Sequence, residues 1–139
     1  MKKVEITFLS EQYSDGETDK NILKANGTFK KSGNGYTIEY TEPDSEMGNS
    51  KSVIEILGEK FVHLKRTGLY ETVFKIEENK VHPCLYKTPF GETEMQISAK
   101  KVIADIDENG GKIELLYRIE SNAQILGENT LIMKVKVTD

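Results

Sequence analysis

The sequence predicts an all-β protein, built as one closed or nearly closed antiparallel meander barrel of about eight to ten strands. Apolar and polar residues alternate along most of the 139-residue chain, which is the period of a strand. Segments rich in Gly, Asn and Asp separate the alternating stretches, so successive strands should pair with their sequence neighbours. An open meander of this length has exposed edges, which closure removes. We therefore assign residues 1–139 to a single β-barrel domain.

Alternation defines the first three strands. The second strand, residues 20–31, is expected to break near Asn26-Gly27, because an internal glycine often marks a β-bulge. The segment SGNG at 32–35 predicts a hairpin turn, and the strand after it covers 36–41. The apolar residues that share a face are Val4, Ile6 and Phe8 in the first strand and Tyr36, Ile38 and Tyr40 in the third.

The middle of the chain predicts four more strands. Residues 43–50, PDSEMGNS, form the longest turn-rich loop and precede a strand at 51–57. A tight turn at Gly58-Glu59 leads into a strand at 60–66, and Gly68 separates that strand from the next. The last two strands of this region are 70–76, where Tyr70, Thr72, Phe74 and Ile76 share a face, and 80–88.

Residues 91–107 are too long for one flat strand, since typical strands have about five to six residues. The apolar residues also change parity along this segment. They are Met95, Ile97 and Ala99 before the lysine pair and Val102, Ala104 and Ile106 after it. A change of face without a loop predicts a bulge or sharp bend at Lys100-Lys101. A hairpin turn at 108–111 then leads to the last two strands, 112–121 and 129–137.

Composition and charge restrict the possible partners. The net charge is -4, the pI is near 5.3, and no basic run is interleaved with aromatic residues, so we expect no nucleic-acid binding. No segment approaches the run of about 18 apolar residues that a membrane helix needs, and MKKVEITFLS lacks the features of a signal peptide. The single cysteine excludes an internal disulfide and fits a reducing compartment. We expect a cytoplasmic protein without membrane contact.

A polar stripe on strand 80–88 supplies most of the candidate site residues. His82, Cys84, Tyr86 and Thr88 share one parity and therefore project to one side. In a barrel of about eight strands such a stripe can line a lumen with room for one small ligand. The alternative orientation places the stripe in solvent and Leu85 inside. We take His82, Tyr86 and Thr88 as candidate ligand-binding residues.

Arg66 is the fourth candidate ligand-binding residue. It shares parity with Val62 and Leu64, which are expected to face inward, whereas Arg118 is expected to face solvent. The planar guanidinium of an inward arginine can hold an anionic ligand. The alternative is an arginine that pairs with an internal carboxylate or reaches solvent at the rim of the barrel.

Neither catalytic residues nor metal ligands are predicted. Side chains two apart on a strand, such as His82 and Cys84, start roughly 6.6 Å apart, beyond the ~3 Å hydrogen bond that activates a nucleophile. These two residues also fall short of the four ligands of a structural zinc site. The segment DIDENGG at 105–111 begins like a calcium loop, but Leu116 stands where the loop needs Glu, and a hairpin turn explains the segment. We predict no cofactor.

The motifs HPCLYKTPFG, DENGGKIELLY and ENTLIMKV, together with GTFKKSGNGYTIEY, the Met47-Gly48 loop and LKRTG, resemble the YwiB-like bacterial proteins. That family is a calycin-like β-barrel family of unknown function, and the resemblance covers nearly the whole chain. It implies a lipocalin-like barrel in the cytoplasm with no assigned catalytic residues. One departure is Glu128, where we expect related chains often to carry His before Asn129.

Two classes of function remain. The first is a non-enzymatic binding protein for a small amphipathic or anionic molecule in the barrel interior. The alternative is a protein-interaction module with a side-chain-filled barrel, which acts through its surface or through a homodimer contact. A weaker alternative is an enzyme that uses the His82–Thr88 face. An empty cavity of a few hundred Å³ lined by Arg66 and Tyr86 would favour the first class, and normal interior packing the second.

Overall fold

The protein is an antiparallel β-structure in a computed structural model, which describes residues 2–33, 35–44, 48–68, 71–122 and 124–138. Ten strands occur in these residues, in agreement with the predicted number and order. Their bounds are β1 (Lys2–Ser14), β2 (Glu17–Ser32), β3 (Gly35–Asp44), β4 (Gly48–Gly58), β5 (Phe61–Thr67), β6 (Thr72–Glu77), β7 (Val81–Thr88), β8 (Gly91–Asp107), β9 (Gly110–Ser121) and β10 (Gln124–Val137).

The strands form one sheet in the order β6-β5-β4-β3-β2-β1-β10-β9-β8-β7, and the sheet curls until β6 meets β7. Glu71 and Lys87 exchange two backbone hydrogen bonds of 2.9 Å at one end of this seam. At the other end the backbone N–H of Asn79 donates to the carbonyl of Ala99 at 2.9 Å. The barrel is therefore nearly closed, and the all-β barrel prediction is confirmed.

The predicted bend in the long strand β8 is confirmed. The ladder between β8 and β9 shifts register between Ala99 and Lys101, so that one extra residue enters β8. Because side chains alternate with a period of two, the extra residue moves the following apolar side chains to the same face as the preceding ones. Ile97 before the bulge and Val102 after it are both fully buried.

Two details of the predicted strands are wrong. The second strand does not break at Gly27, since β2 pairs without interruption with β1 and from Gly27 onward with β3. A Cβ atom at Gly27 would lie 2.2 Å from the carbonyl oxygen of Glu39, so the glycine permits close approach of β3 rather than a bulge. The expected loop at 43–50 is shorter, because β3 extends to Asp44 and β4 begins at Gly48. Met47 and Tyr70 lie outside the described residues.

The interior is filled at one end of the barrel. This end lies towards the N-terminus of β1 and the C-terminus of β10, and its side chains are mostly β-branched or small. Such side chains pack tightly between strands that are close together. Fully buried members include Val4, Ile6, Ile38, Val62, Ile76, Ile97, Val102 and Ile113.

The opposite end of the barrel is built differently. Strands β1 and β2 continue there as a long hairpin, paired from Lys2 with Phe29 to Ser14 with Glu17. The ladder between β2 and β3 covers only Gly27 to Ser32 of β2. Residues 17–26 of β2 therefore pair with β1 alone among the residues that the structure describes.

Candidate functional site

The end of the barrel opposite to the packed one contains a cavity of about 500 Å³. We call this the hollow end. Its walls come from nearly every strand around the barrel, from Phe8 and Leu23 on β1 and β2 to Leu131 and Met133 on β10. These side chains are apolar, and polar side chains from most of the same strands, including Ser52, Arg66 and Tyr117, also line the cavity. A volume of this size, lined by both apolar and polar side chains, is within the range of small-molecule sites.

Arg66 and Ser52 form the polar side of the cavity. The two residues are direct partners in the ladder between β4 and β5, so their side chains project to the same face. Ser52 is only 4% exposed, and its hydroxyl has no hydrogen-bond partner among the described residues. A buried hydroxyl without a partner costs about 1–3 kcal/mol, which a ligand that accepts its hydrogen bond would recover.

Tyr117 brings a phenol to the same cavity from β9. Burial raises the pKa of Tyr117 to about 12, and the positive charge of Arg66 opposes that shift. The phenol is therefore protonated at neutral pH and available as a hydrogen-bond donor. Tyr40 on β3 and Tyr86 on β7 also line the cavity, so phenols reach it from three sides.

The charges around this cavity are of one sign. Arg66 and Lys65 are among its lining residues, and no Asp or Glu belongs to the described lining. Lys65 forms an ion pair with Glu55 across the ladder, which compensates its charge. Arg66 is the other cation of the described lining, and a guanidinium favours an anion.

Another concave surface, of about 540 Å³, lies beside β7 and β8. Glu94 and Glu120 line it, and no Lys or Arg belongs to its described lining. This surface would repel an anion, so it does not extend the site at Arg66.

The four candidate residues from the sequence do not form one site. Arg66 and Tyr86 line the cavity, as their strand parity predicts. His82 instead lies at the seam between β6 and β7, where its Nε2 is 3.0 Å from the Oε1 of Glu77 and its ring stacks on Phe61 at 5.6 Å. Thr88 belongs to the β7–β8 turn, where its hydroxyl donates to the carbonyl of Gly91 at 3.1 Å.

The orientation of β7 explains this division. Cys84 is 5% exposed whereas Leu85 is 40% exposed, so the stripe faces inward and the alternative orientation is wrong. The stripe nevertheless spans the whole height of the barrel, because residues two apart on a strand are separated by about 6.6 Å. Its ends therefore meet the seam and the turn, and Tyr86 is the candidate from this stripe that reaches the cavity.

Cys84 has a structural role at the seam between β6 and β7. Its sulfur lies 3.3 Å from the hydroxyl oxygen of Thr72, across the seam between β6 and β7. Burial raises the pKa of the Cys84 thiol, and the hydrogen bond from Thr72 opposes the rise only in part. A thiol that is protonated at neutral pH is a poor nucleophile.

The arrangement does not suggest metal chemistry. The described residues bring no three His, Cys, Asp or Glu side chains close enough to hold a metal ion. The described part of the chain also contains no helix with the length and apolar character of a membrane span.

Ser52 and Tyr117 are the site residues that sequence reasoning missed. Ser52 shares the parity of Ile54 and Ile56 on β4, and a small polar residue that continues an apolar face is a usable signal. Tyr117 falls on the apolar parity of β9 together with Leu115, but its meeting with Arg66 depends on the barrel closing.

Fold and cavity define the class of this protein, a ten-stranded antiparallel β-barrel whose interior is filled at one end and hollow at the other. The chain belongs to the family described as domain of unknown function DUF1934, which matches residues 6–133. The family resemblance predicted from the motifs is thereby confirmed. Glu128, where the departure is expected, is half-buried, and its carboxylate accepts a hydrogen bond of 2.9 Å from Arg118.

Comparison with individual proteins agrees with this assignment. The uncharacterized β-barrel protein YwiB of Bacillus subtilis (strain 168) is 25% identical over 103 residues, which cover 74% of this chain and 71% of the relative. The crystal structure of the YwiB protein from Bacillus subtilis superposes with a TM-score of 0.89 at 20% identity. That superposition covers 99% of this chain and 93% of the other. At this identity the structural likeness establishes the shared fold.

Proposed function

We propose that this protein binds a small amphipathic anion in the hollow end of its barrel and is not an enzyme. The proposal rests mainly on one observation. Arg66 and Ser52 lie opposite each other in the ladder between β4 and β5, on the wall of a cavity of about 500 Å³. The guanidinium supplies charge-assisted hydrogen bonds to an anionic group, and the Ser52 hydroxyl supplies one more. The phenol of Tyr117 adds a further donor, and no Asp or Glu occurs in the described lining.

The rest of the cavity accounts for the apolar part of the ligand. Phe8, Leu23, Phe74, Leu131 and Met133 surround the space next to the donors. A hydrocarbon or aromatic body placed there would gain about 25 cal/mol for each Å² of apolar surface removed from water. The ligand class is therefore a carboxylate, sulfonate or phosphate group on an apolar body of modest size.

A cytoplasmic site of action is part of the proposal. It is supported by the one cysteine of the chain, which is a free and buried thiol. A protein that acts without disulfides is suited to a reducing compartment.

The fluorescent probe 8-anilinonaphthalene-1-sulfonate tests the proposal, because it joins an anionic group to an aromatic body and brightens in an apolar site. We expect saturable binding to the folded protein and a loss of affinity of about tenfold or more in Arg66→Ala, since hydrogen bonds to charged groups contribute about 1.5–3 kcal/mol. Arg118→Ala is the matched control, because Arg118 is the other arginine and pairs with Glu128 on the outer surface.

The neutral probe N-phenyl-1-naphthylamine separates charge recognition from simple apolar binding. We expect Arg66→Ala to bind this probe as the unmodified protein does. An equal loss of both probes would indicate a damaged cavity and overturn the role of Arg66. Absence of saturable binding of the anionic probe to the unmodified protein would overturn the proposed function itself.

A further inference from the structure

One long edge of the β-sheet is unpaired. Residues 17–26 of β2 form a continuous ladder with β1 on one side, and the other side has no backbone partner among the residues that the structure describes. The neighbouring strand β3 leaves β2 at the pair Gly27–Tyr40 and continues to Asp44 with β4 as its partner. The barrel wall is therefore interrupted along these ten residues of β2.

This edge has the features of a strand-pairing surface. An unpaired strand presents a row of N–H and C=O groups that can add another strand. The segment ETDKNILKAN contains no proline, and its pairing with β1 shows no bulge, so its backbone is regular. It is also apolar at its centre, where Ile22 is 73% exposed and Leu23 is 50% exposed.

Charges on the edge argue against a second copy of the same chain as the partner. Lys20, Ile22 and Lys24 share one parity, opposite to that of Leu23, and Ile22 also borders the cavity. In an antiparallel pairing of two identical strands about a two-fold axis through Ile22, each Lys20 would lie opposite a Lys24. With the axis through Asn21 instead, Lys20 and Lys24 of both copies would again lie on one face of the sheet. Like charges in such positions destabilise strand pairing.

The same charges define the partner that the edge does fit. A foreign strand with acidic residues opposite Lys20 and Lys24 would form favourable cross-strand pairs, each contributing about 0.2–1 kcal/mol. An apolar residue between them would cover Ile22. On the inner parity, Leu23 lines the cavity, so the partner strand would also close the wall beside it.

We propose that the free edge of β2 binds an extended segment of another protein that carries an acidic, apolar, acidic pattern on alternate residues. This interaction surface borders the cavity at Ile22 and Leu23, but it is tested separately from ligand binding. It depends on the exposed edge and the two lysines, whereas ligand binding depends on Arg66. Failure of one proposal therefore leaves the other unaffected.

A capped heptapeptide, Thr-Glu-Val-Val-Thr-Glu-Thr, is the probe that tests the edge, since in antiparallel register its two Glu residues face Lys24 and Lys20. We expect it to bind the unmodified protein and to slow amide hydrogen exchange of residues 17–26. The double variant Lys20→Glu, Lys24→Glu should bind it about tenfold more weakly. The same variant should prefer a peptide in which both Glu residues are replaced by Lys.

Two further peptides test for backbone pairing. Each is N-methylated at alternate backbone nitrogens, one peptide at the odd positions and the other at the even positions. A strand added to an edge directs only every second N–H towards its neighbour, so one of these peptides should lose binding and the other should keep it.

Three results would overturn the proposal. The first is that neither the Glu-containing peptide nor its Lys-containing counterpart binds, or that the unmodified protein binds these two peptides with equal affinity. The second is that both methylated peptides bind, which would indicate attraction by charge alone. The third is a dimer in sedimentation in which residues 17–26 are already protected from exchange, because the edge would then be occupied by a second copy. Circular dichroism of the double variant excludes unfolding as the cause of weaker binding.

Discussion

Arg66 lies opposite Ser52 in the ladder between β4 and β5, so that a cation and a buried hydroxyl face the same cavity, and the hydroxyl has no hydrogen-bond partner in the described part of the chain. A fold selected for stability alone would fill this position with an apolar side chain, as it does at Ile54 two residues later. The cost of keeping the Ser52 hydroxyl buried beside Arg66 is what makes the cavity a candidate site.

Ser52→Ala should leave the empty protein as stable as the unmodified chain or raise its free energy of unfolding by about 1 kcal/mol, because the variant removes an unsatisfied buried hydroxyl. Urea denaturation measures the change. Ser121→Ala is the control, since the Ser121 hydroxyl donates to the carbonyl of Glu94 at 3.1 Å and its loss should destabilise by about 0.5–1.5 kcal/mol. A clear destabilisation by Ser52→Ala would mean that its hydroxyl has a partner in the folded protein.

Gly27→Ala should destabilise the protein by about 1–3 kcal/mol, because the added methyl group would lie 2.2 Å from the carbonyl oxygen of Glu39 and push β3 away. Gly58→Ala is the matched control, since no atom lies within 4 Å of its added methyl group. We expect the control to be neutral or slightly stabilising, as measured by urea denaturation. Equal effects of the two substitutions would show that contact between β2 and β3 at Gly27 is looser than described.

Acid should weaken the fold partly through Glu114. Hydrogen bonds from Lys112 and Lys101 lower the pKa of Glu114 from 4.5 to about 2. Because the pKa is lower in the folded chain, the stabilisation is complete above pH 4.5 and is lost as the pH falls towards about 2. The urea midpoint of Glu114→Gln should therefore fall less than that of the unmodified protein between about pH 5.5 and about pH 3. Parallel pH profiles of the two proteins would contradict this assignment.

The Cys84 thiol should react slowly with Ellman's reagent in the folded protein at neutral pH. Burial both blocks access and raises the pKa of this thiol, so little thiolate is present. Unfolding in urea should increase the rate strongly, and the same reaction of glutathione calibrates the reagent. A rate in the folded protein equal to that of the unfolded chain would show that the seam at Cys84 and Thr72 opens readily.

Local patterns in the sequence account for most of the strands. The alternation of Tyr36, Ile38 and Tyr40 sets one face of β3, and the change of parity around Lys100 predicts the bulge in β8. Arg66 faces inward for the same reason, since it continues the parity of Val62. Each of these inferences follows from the two-residue alternation of side chains along a strand.

The features that escaped prediction depend on contacts distant in sequence. His82 leaves the cavity because Glu77 and Phe61 hold its ring at the seam, and neither partner is implied by the pattern of β7. The second strand is predicted to begin at residue 20, and the strand character of residues 17–19 is hidden because these residues are exposed and no alternation marks them. Only the long ladder with β1 makes this segment a strand.

The separation of a filled end from a hollow end also matters for engineering. Side chains such as Val4, Val62 and Val102 are fully buried and are not among the residues that line the cavity. Substitutions at Phe8, Leu23 or Leu131 can therefore reshape the cavity while the packed end keeps the barrel intact. This division makes the chain a suitable starting scaffold for libraries of small-molecule sensors, in which one half tolerates variation that the other half would not.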